Sequence, residues 1–512
     1  MPKPLLLAVV VFGLGCQSTA ARPSPRGRFH FPSGIAIDAP YGADAGPAHT
    51  LYLAGNTNFD LAYDNGLVFA INLDAIDPAG TGLVPPALAN DAGWDGTPLQ
   101  IPDVDAGGYC DPSTGVVATD SMAGEMRLTT TSDGGGRLFL ATRYANLVTA
   151  IDVNGPKLDC FGGGSDCNNN VAAPPLVVEQ APGANQLLDV FGVSNEIVTA
   201  SGERDVFITH MRNQGYGSGG VYSSSAYGNN FNQVGFSYVI RQNVDDPSCR
   251  LAEPVGPVGS SSSVALTQNN LIYTLFTGRY GGLTNAVREL TLPAGGCEGL
   301  DAGQTAVDAN LPNLFTIDLS AITKGNDGRG MTLSSSGDRV FALIRNPDAL
   351  VVLRNSGFTP AGLLMHPSAA IPLPPGPTQL LAIPRTSPNG TPIGDLVVVT
   401  CADSGLLAFY DDEIGTVTAA IPGVGDEPFG VASAVRSLGT GPGAKVLPGA
   451  RLFVSAFGSG QVAVVDIPDL LDARTAQTVA FIGTREDTTT TPINPNSTLF
   501  QTPIGGGPTG IP

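Results

Sequence analysis

Seven short apolar runs punctuate this chain, each set among polar, turn-rich residues. They read Leu51-Tyr-Leu-Ala54, Leu138-Phe-Leu-Ala141, Val206-Phe-Ile-Thr209, Ile272-Tyr-Thr-Leu275, Val340-Phe-Ala-Leu343, Leu396-Val-Val-Val399 and Leu452-Phe-Val-Ser455. Their first residues lie 56 to 87 positions apart. The flanks recur in a fixed order. A first strand opens on Pro or Gly and a small residue, as in Pro32-Ser-Gly-Ile-Ala36, Gly330-Met-Thr-Leu333 and Pro428-Phe-Gly-Val-Ala432. A polar turn follows, clearest at Ser334-Ser-Ser-Gly-Asp338 and Thr131-Ser-Asp-Gly-Gly135. The apolar run comes next, then a short loop, then an alternating third strand such as Asn146–Asp152, Ala349–Leu353 or Gln461–Asp466. Strand, turn, strand, loop, strand is an antiparallel meander. One meander has two open edges and cannot bury its own faces, whereas seven packed around an axis can. The spacing predicts an all-β fold, a seven-bladed β-propeller of four-stranded antiparallel blades over residues 28–483.

These residues resemble the YVTN-type seven-bladed β-propellers of bacterial envelopes. That family's Tyr-Val-Thr-Asn strand and its Asn-x-Val-x-Val-Ile-Asp companion are matched loosely by Phe139-Leu-Ala-Thr142 with Asn146–Asp152, and by Phe453-Val-Ser-Ala456 with Gln461–Asp466. The resemblance implies a fold rather than a function, since such propellers serve as binding platforms, enzymes and scaffolds.

Departures from the period mark insertions. Residues 82–121, read as lying between blades 1 and 2, hold Asp91, Asp95, Asp103, Asp105 and Asp111 with little apolar pattern. Residues 213–233 interrupt blade 3, and 484–512 form a Thr/Pro/Gly-rich tail expected to be partly ordered. The last blade owns a fourth strand at Thr478–Gly483, which leaves Arg28–Phe31 to pair elsewhere or pack outside.

Composition changes the picture in three ways. Gly (66) and Pro (42) are abundant among the 512 residues, which suits many short strands joined by turns. The balance of 25 basic against 45 acidic residues gives a net charge of −20, which repels phosphate backbones and argues against nucleic acid as a partner. The N-terminus has the layout of a secretory signal over residues 1–15, one Lys before a short apolar stretch. Leu14-Gly15-Cys16 resembles a bacterial lipobox, which implies lipidation of Cys16 with 16–27 as the following linker. The other reading is an ordinary signal peptide cut after a small residue. Lipid would be the sole membrane contact, because no other segment is apolar enough to cross.

Six further cysteines suit disulfides in an exported chain. Cys160 and Cys167 are the expected local pair, Cys249 and Cys297 could bridge neighbouring repeats, and Cys401 reads as a buried thiol.

The candidate chemistry is positional. Loops between second and third strands of a propeller emerge on one face, around the channel mouth. Four consecutive blades place an arginine there: Arg143, Arg212, Arg279 and Arg345, with Tyr144 and Tyr280 beside two of them. The blade 3 insertion adds Tyr216, Tyr222, Tyr227 and Phe231. Guanidinium forks beside aromatic surfaces recognise carboxylates, sulfates, phosphates or acidic glycans. The competing reading pairs each Arg with an acid of the next blade. No twelve-residue calcium loop is present, so the aspartates of the first insertion read as solvated turns, and no metal site or cofactor is expected. Only four histidines exist, of which His210, near Arg212, is the one candidate general base. Asp411-Asp412-Glu413 reads as a solvated acidic corner. The sequence therefore points to an exported, lipid-anchored propeller of the cell envelope, periplasmic or at the outer membrane. There it would be a non-catalytic platform for an anionic, glycan or protein ligand. The alternatives are a propeller hydrolase or lactonase with its site at the channel mouth, or a structural module of an envelope assembly.

Overall fold

A computed structural model describes residues 23–76, 97–167, 176–177, 190–198, 204–210, 236–277, 286–291, 313–438 and 445–486, apart from internal breaks of six residues or fewer. The described residues form seven sheets, each an antiparallel set of neighbouring strands in chain order, to the last of which one early strand adds in parallel. Every one of the seven apolar runs falls on the second strand of its sheet: Thr50–Asn56, Gly135–Thr142, Arg204–His210, Leu271–Thr277, Arg339–Arg345, Pro392–Cys401 and Lys445–Ala456. The fold is an all-β propeller.

The runs are apolar at successive positions because both faces of these strands are covered. Alternate side chains point to opposite faces of a strand. Leu51 and Leu53 pack into a core shared with Phe453, Val464 and Ile482 of sheet 7. Tyr52 and Ala54 pack instead against Leu138 and Leu140 of sheet 2. Sheet 5 repeats the division: Val340 and Ala342 join Leu275 and Val287 of sheet 4, while Phe341 and Leu343 join Val397 and Val399 of sheet 6. Each such fully buried side chain contributes about 1.5–3 kcal/mol.

The first strands are the innermost. Those of sheets 1 to 7 begin at Ile35, Ala123, Val190, Ser260, Asp327, Pro377 and Pro428, and each contacts the next. The last of them returns onto the first, closing the circle. Glycine permits this approach: a Cβ on Gly34 would lie 2.6 Å from the Gly124 carbonyl oxygen, and one on Gly430 would lie 2.4 Å from that of Ser33.

Closure does not draw the fourth strand of sheet 7 from the start of the chain. Gln477–Ile482 is the fourth strand of sheet 7, as the sequence predicts. Leu99–Ile101, from the first insertion, adds to its outer edge in parallel. The Gly483 amide donates to the Ile101 carbonyl at 3.0 Å, and the Thr484 amide to Asp103 Oδ1 at 2.7 Å. Near the axis the Ser455 hydroxyl donates to the Ser33 carbonyl. The segment left unplaced by the sequence stays with sheet 1: His30 bridges to Asn56, and Phe29 enters the core between sheets 1 and 7.

One boundary needs correction. The insertion read as 82–121 between blades ends earlier, because Val116–Thr119 pairs with Gly66–Phe69 as the fourth strand of sheet 1. The insertion therefore lies within that sheet, between its third and fourth strands.

Cys160 and Cys167 form the expected disulfide, with Cα atoms 5.1 Å apart. The closed loop reaches sheet 1, where the Ala118 amide donates to the Ser165 carbonyl at 2.8 Å and the Cys167 amide to the Ala118 carbonyl at 2.9 Å. It clasps the outer edges of sheets 1 and 2, as Leu99–Ile101 clasps sheets 7 and 1. Cys401 is a buried thiol, and so is Cys110. Burial pushes both up to about 12, so neither holds a reactive thiolate near neutrality. Cys249 and Cys297 lie outside the described residues.

Candidate functional site

Of the arginine and tyrosine rim, only Arg345 falls among the described residues; Arg143, Tyr144, Arg212, Arg279 and Tyr280 lie outside them, as do Cys16, residues 213–233 and the tail beyond 486. Arg345 is not a rim arm. It is 3% exposed, and its guanidinium donates to the Pro377 carbonyl at 2.8 Å, the Gly376 carbonyl at 2.9 Å and Thr378 Oγ1 at 3.0 Å. It ties sheet 5 to the innermost strand of sheet 6. Hydroxyls do the same at later seams, Thr400 donating to the Phe429 carbonyl at 2.7 Å and Ser455 to Ser33 at 2.6 Å. Burial draws Arg345 down to about 10, which still leaves it cationic at neutral pH.

Arginines elsewhere pair with the aspartates that end the third strands, at the opposite end of the sheets. Arg137 donates to Asp152 at 2.7 Å, and Arg451 and Arg436 share Asp466 at 2.7 and 2.9 Å. The acidic triplet of sheet 6 is a correction of the same kind. Asp411 and Asp412 are buried rather than solvated, Asp411 held by both terminal nitrogens of Arg385 and Asp412 by Arg339 of sheet 5. His210 ends the second strand of sheet 3. Asp111 accepts from the Ser113 amide and hydroxyl, which is turn chemistry as predicted. Asp103 instead anchors the closing clasp. No group of three or more His, Cys, Asp or Glu side chains among the described residues is placed to hold a metal ion.

The mouth end of the sheets carries a feature the sequence reading missed. Where the chain enters an innermost strand, a left-handed residue recurs: Phe31 (φ 53°), Met122 (φ 60°), Gly376 (φ 79°) and Glu427 (φ 52°). The conformation favours glycine, yet of these four residues only Gly376 is one. Its recurrence makes it part of the architecture, a tight reversal from the outermost strand of one sheet to the axis of the next. Around two of these reversals, Phe31, Phe59, Phe429 and Phe457 gather into an aromatic cluster joining sheets 1 and 7, with Phe31 stacked on Phe457 at 5.0 Å.

Beside that cluster a cleft of about 520 Å³ opens between sheets 6 and 7. It is lined by Gln100, Ser404, Asp426, Ser459, Phe481 and Arg485 together with the glycines Gly405, Gly423 and Gly425. The positions are well fixed. Ser459 Oγ accepts from the Asp426 amide at 3.2 Å, the Glu486 amide donates to the Ser459 carbonyl at 2.9 Å, and Arg485 donates to Asp426 at 2.7 Å. Glu427 follows directly. Burial, with Asp403 and Asp426 nearby, pushes its carboxyl above the ordinary range. The local field is therefore acidic, and it disfavours the anion that an arginine rim would attract.

No protein-family model and no curated protein matches this chain. Among solved structures, it is similar to a putative 6-phosphogluconolactonase from Bacteroides uniformis, at 14% identity over 70% of this chain and 81% of that one, with a TM-score of 0.35. It is also similar to hydrazine synthase of Kuenenia stuttgartiensis, at 11% identity over 88% and 99% with a TM-score of 0.44. A third is the β-propeller domain of Cps50 (Swd1) from Myceliophteria thermophila, at 10% identity over 71% and 80% with a TM-score of 0.36. At these scores the likenesses carry no functional inference.

Proposed function

We propose that this protein is an exported, lipid-anchored, seven-bladed propeller of the YVTN type. Its work in the cell envelope is non-catalytic: it presents a rigid face on which a ligand or protein is held. The observation that supports this best is the polar cleft at the mouth end, set in a ring whose successive sheets 5, 6, 7 and 1 are tied together by Arg345, Thr400 and Ser455. A preorganised surface loses little entropy when it binds, which is what a platform requires. The net charge of −20 sets nucleic acid aside as the ligand. Mass spectrometry of the mature protein tests the address: a diacylglycerol-modified Cys16 is expected at the N-terminus, and cleavage elsewhere would remove the anchor. Capture of ligands from envelope extracts on the immobilised protein, repeated with Arg485→Ala, tests the platform. Loss of a captured ligand in the variant supports it, and an empty surface with the intact protein defeats it.

A second reading is a propeller hydrolase or lactonase, supported by the elevated Glu427 beside Asp403 and Asp426. A carboxyl protonated above its usual range could serve as a general acid. Turnover of δ-gluconolactone that vanishes in Glu427→Gln would favour the enzyme; no turnover is expected.

A further inference from the structure

The cleft between sheets 6 and 7 is assembled from both ends of the ring. Gln100 sits on the clasp strand Leu99–Ile101 contributed by sheet 1, Phe481 on the strand it pairs with, and Arg485 just beyond. Ser404 belongs to sheet 6, and Asp426 to the link entering sheet 7. The clasp supplies Gln100 to the lining, so the cleft is complete only while the clasp is docked.

From this we infer that the cleft binds an uncharged oligosaccharide, and that occupancy of the cleft is coupled to closure of the ring. The inference rests on the platform reading above and names its ligand. Four observations carry it. The cleft offers planar polar groups of both signs, the exposed Asp426–Arg485 pair and the exposed Gln100 amide, which can grip adjacent hydroxyls in bidentate fashion. The half-buried Phe481 ring gives an apolar surface for the C–H face of a sugar. Three glycines, Gly405, Gly423 and Gly425, line the cleft without bringing a side chain into it. Asp426 and Arg485 are the charged residues of the lining and pair with one another, so no surplus positive charge is left to hold an acidic sugar. The volume lies within the range of small-molecule sites.

The coupling follows from linkage. A ligand that spans Gln100 on the clasp and Ser404 on sheet 6 binds the closed ring more tightly than the open one, so it raises the stability of closure. Release of the clasp must weaken the ligand by the same factor.

The test is calorimetric titration of the mature protein with maltohexaose, cellohexaose and chitohexaose, alongside acidic hexagalacturonate, paired with thermal unfolding. At least one neutral hexaose is expected to bind, and to raise the unfolding midpoint. Asp426→Ala and Arg485→Ala, at an exposed pair whose loss spares the fold, should each weaken it at least tenfold while leaving the ligand-free midpoint in place. Asp103→Ala, which frees the Thr484 amide, should lower the ligand-free midpoint and weaken the sugar together. A hexaose that binds equally well to Asp426→Ala and Arg485→Ala overturns the cleft assignment and leaves the platform standing. Stronger binding of hexagalacturonate than of every neutral sugar overturns the ligand class, as does failure of all four sugars in a protein that still captures another ligand. Failure of the sugars together with an empty capture surface overturns both readings.

Discussion

The Ser455 hydroxyl meets the Ser33 carbonyl at 2.6 Å across the closing seam, joining residues 422 positions apart, while the same oxygen accepts from the Gly430 amide at 2.8 Å. All three groups are shielded from water. Ser455→Ala therefore strands a buried amide and a buried carbonyl, and a loss of about 1–3 kcal/mol is expected. Chemical denaturation should show it, and Thr400→Val at the preceding seam should behave alike.

Arg345→Ala removes a buried guanidinium that satisfies two backbone carbonyls and the Thr378 hydroxyl. The expected cost is roughly 3 kcal/mol of stability. Ligand affinity, measured in the folded fraction, should not change. Weakened binding at unchanged stability would return Arg345 to the mouth as a recognition residue.

Two carboxyls give opposite pH signatures. Glu427 titrates higher in the fold than in the unfolded chain, so its protonation favours folding. That contribution is complete below the ordinary value of about 4.3 and is lost as pH rises through the elevated one. Glu427→Gln should raise the unfolding midpoint at pH 7 to 8, with the gain fading towards pH 4. Burial alone would raise Asp411, but the Arg385 fork and the amides of Glu413 and Ile414 outweigh it and hold the carboxyl low. Its contribution is present above about 3.9 and is lost as pH falls through the depressed value. Asp411→Asn should flatten the acid limb of the stability profile.

The Cys160–Cys167 loop carries hydrogen bonds from sheet 2 onto Ala118 of sheet 1. Replacing both cysteines by serine is expected to cost about 2–3 kcal/mol, chiefly by freeing the unfolded loop. Amide exchange should quicken at Ala118 and Cys167 ahead of the innermost strands. Uniform exchange across sheets 1 and 2 would show that the clasp holds nothing locally.

The propeller was legible because a strand covered on both faces must be apolar at every position, and seven such strands announced themselves without any alignment. Val116–Thr119 was not, since four residues far along the chain from their partner strand carry no pattern of their own. The role of Arg345 was hidden for a different reason. Its acceptors are backbone carbonyls, which no residue type advertises. Asp411 and Asp412 looked like a surface corner because Arg385 and Arg339 reach them from other strands. The cleft was least visible of all, being lined by Gln100 and Arg485 from opposite ends of the chain.

Among the described residues only sheet 7 mixes early and late sequence, through Leu99–Ile101, so during synthesis the other six units can mature while the seventh is still arriving. Until Gln477–Ile482 leaves the ribosome, Leu99–Ile101 has no strand to pair with and Phe29 lacks the sheet 7 side of its core. The nascent protein is an arc with an uncovered flank, and Gln477–Ile482 converts that arc into a circle.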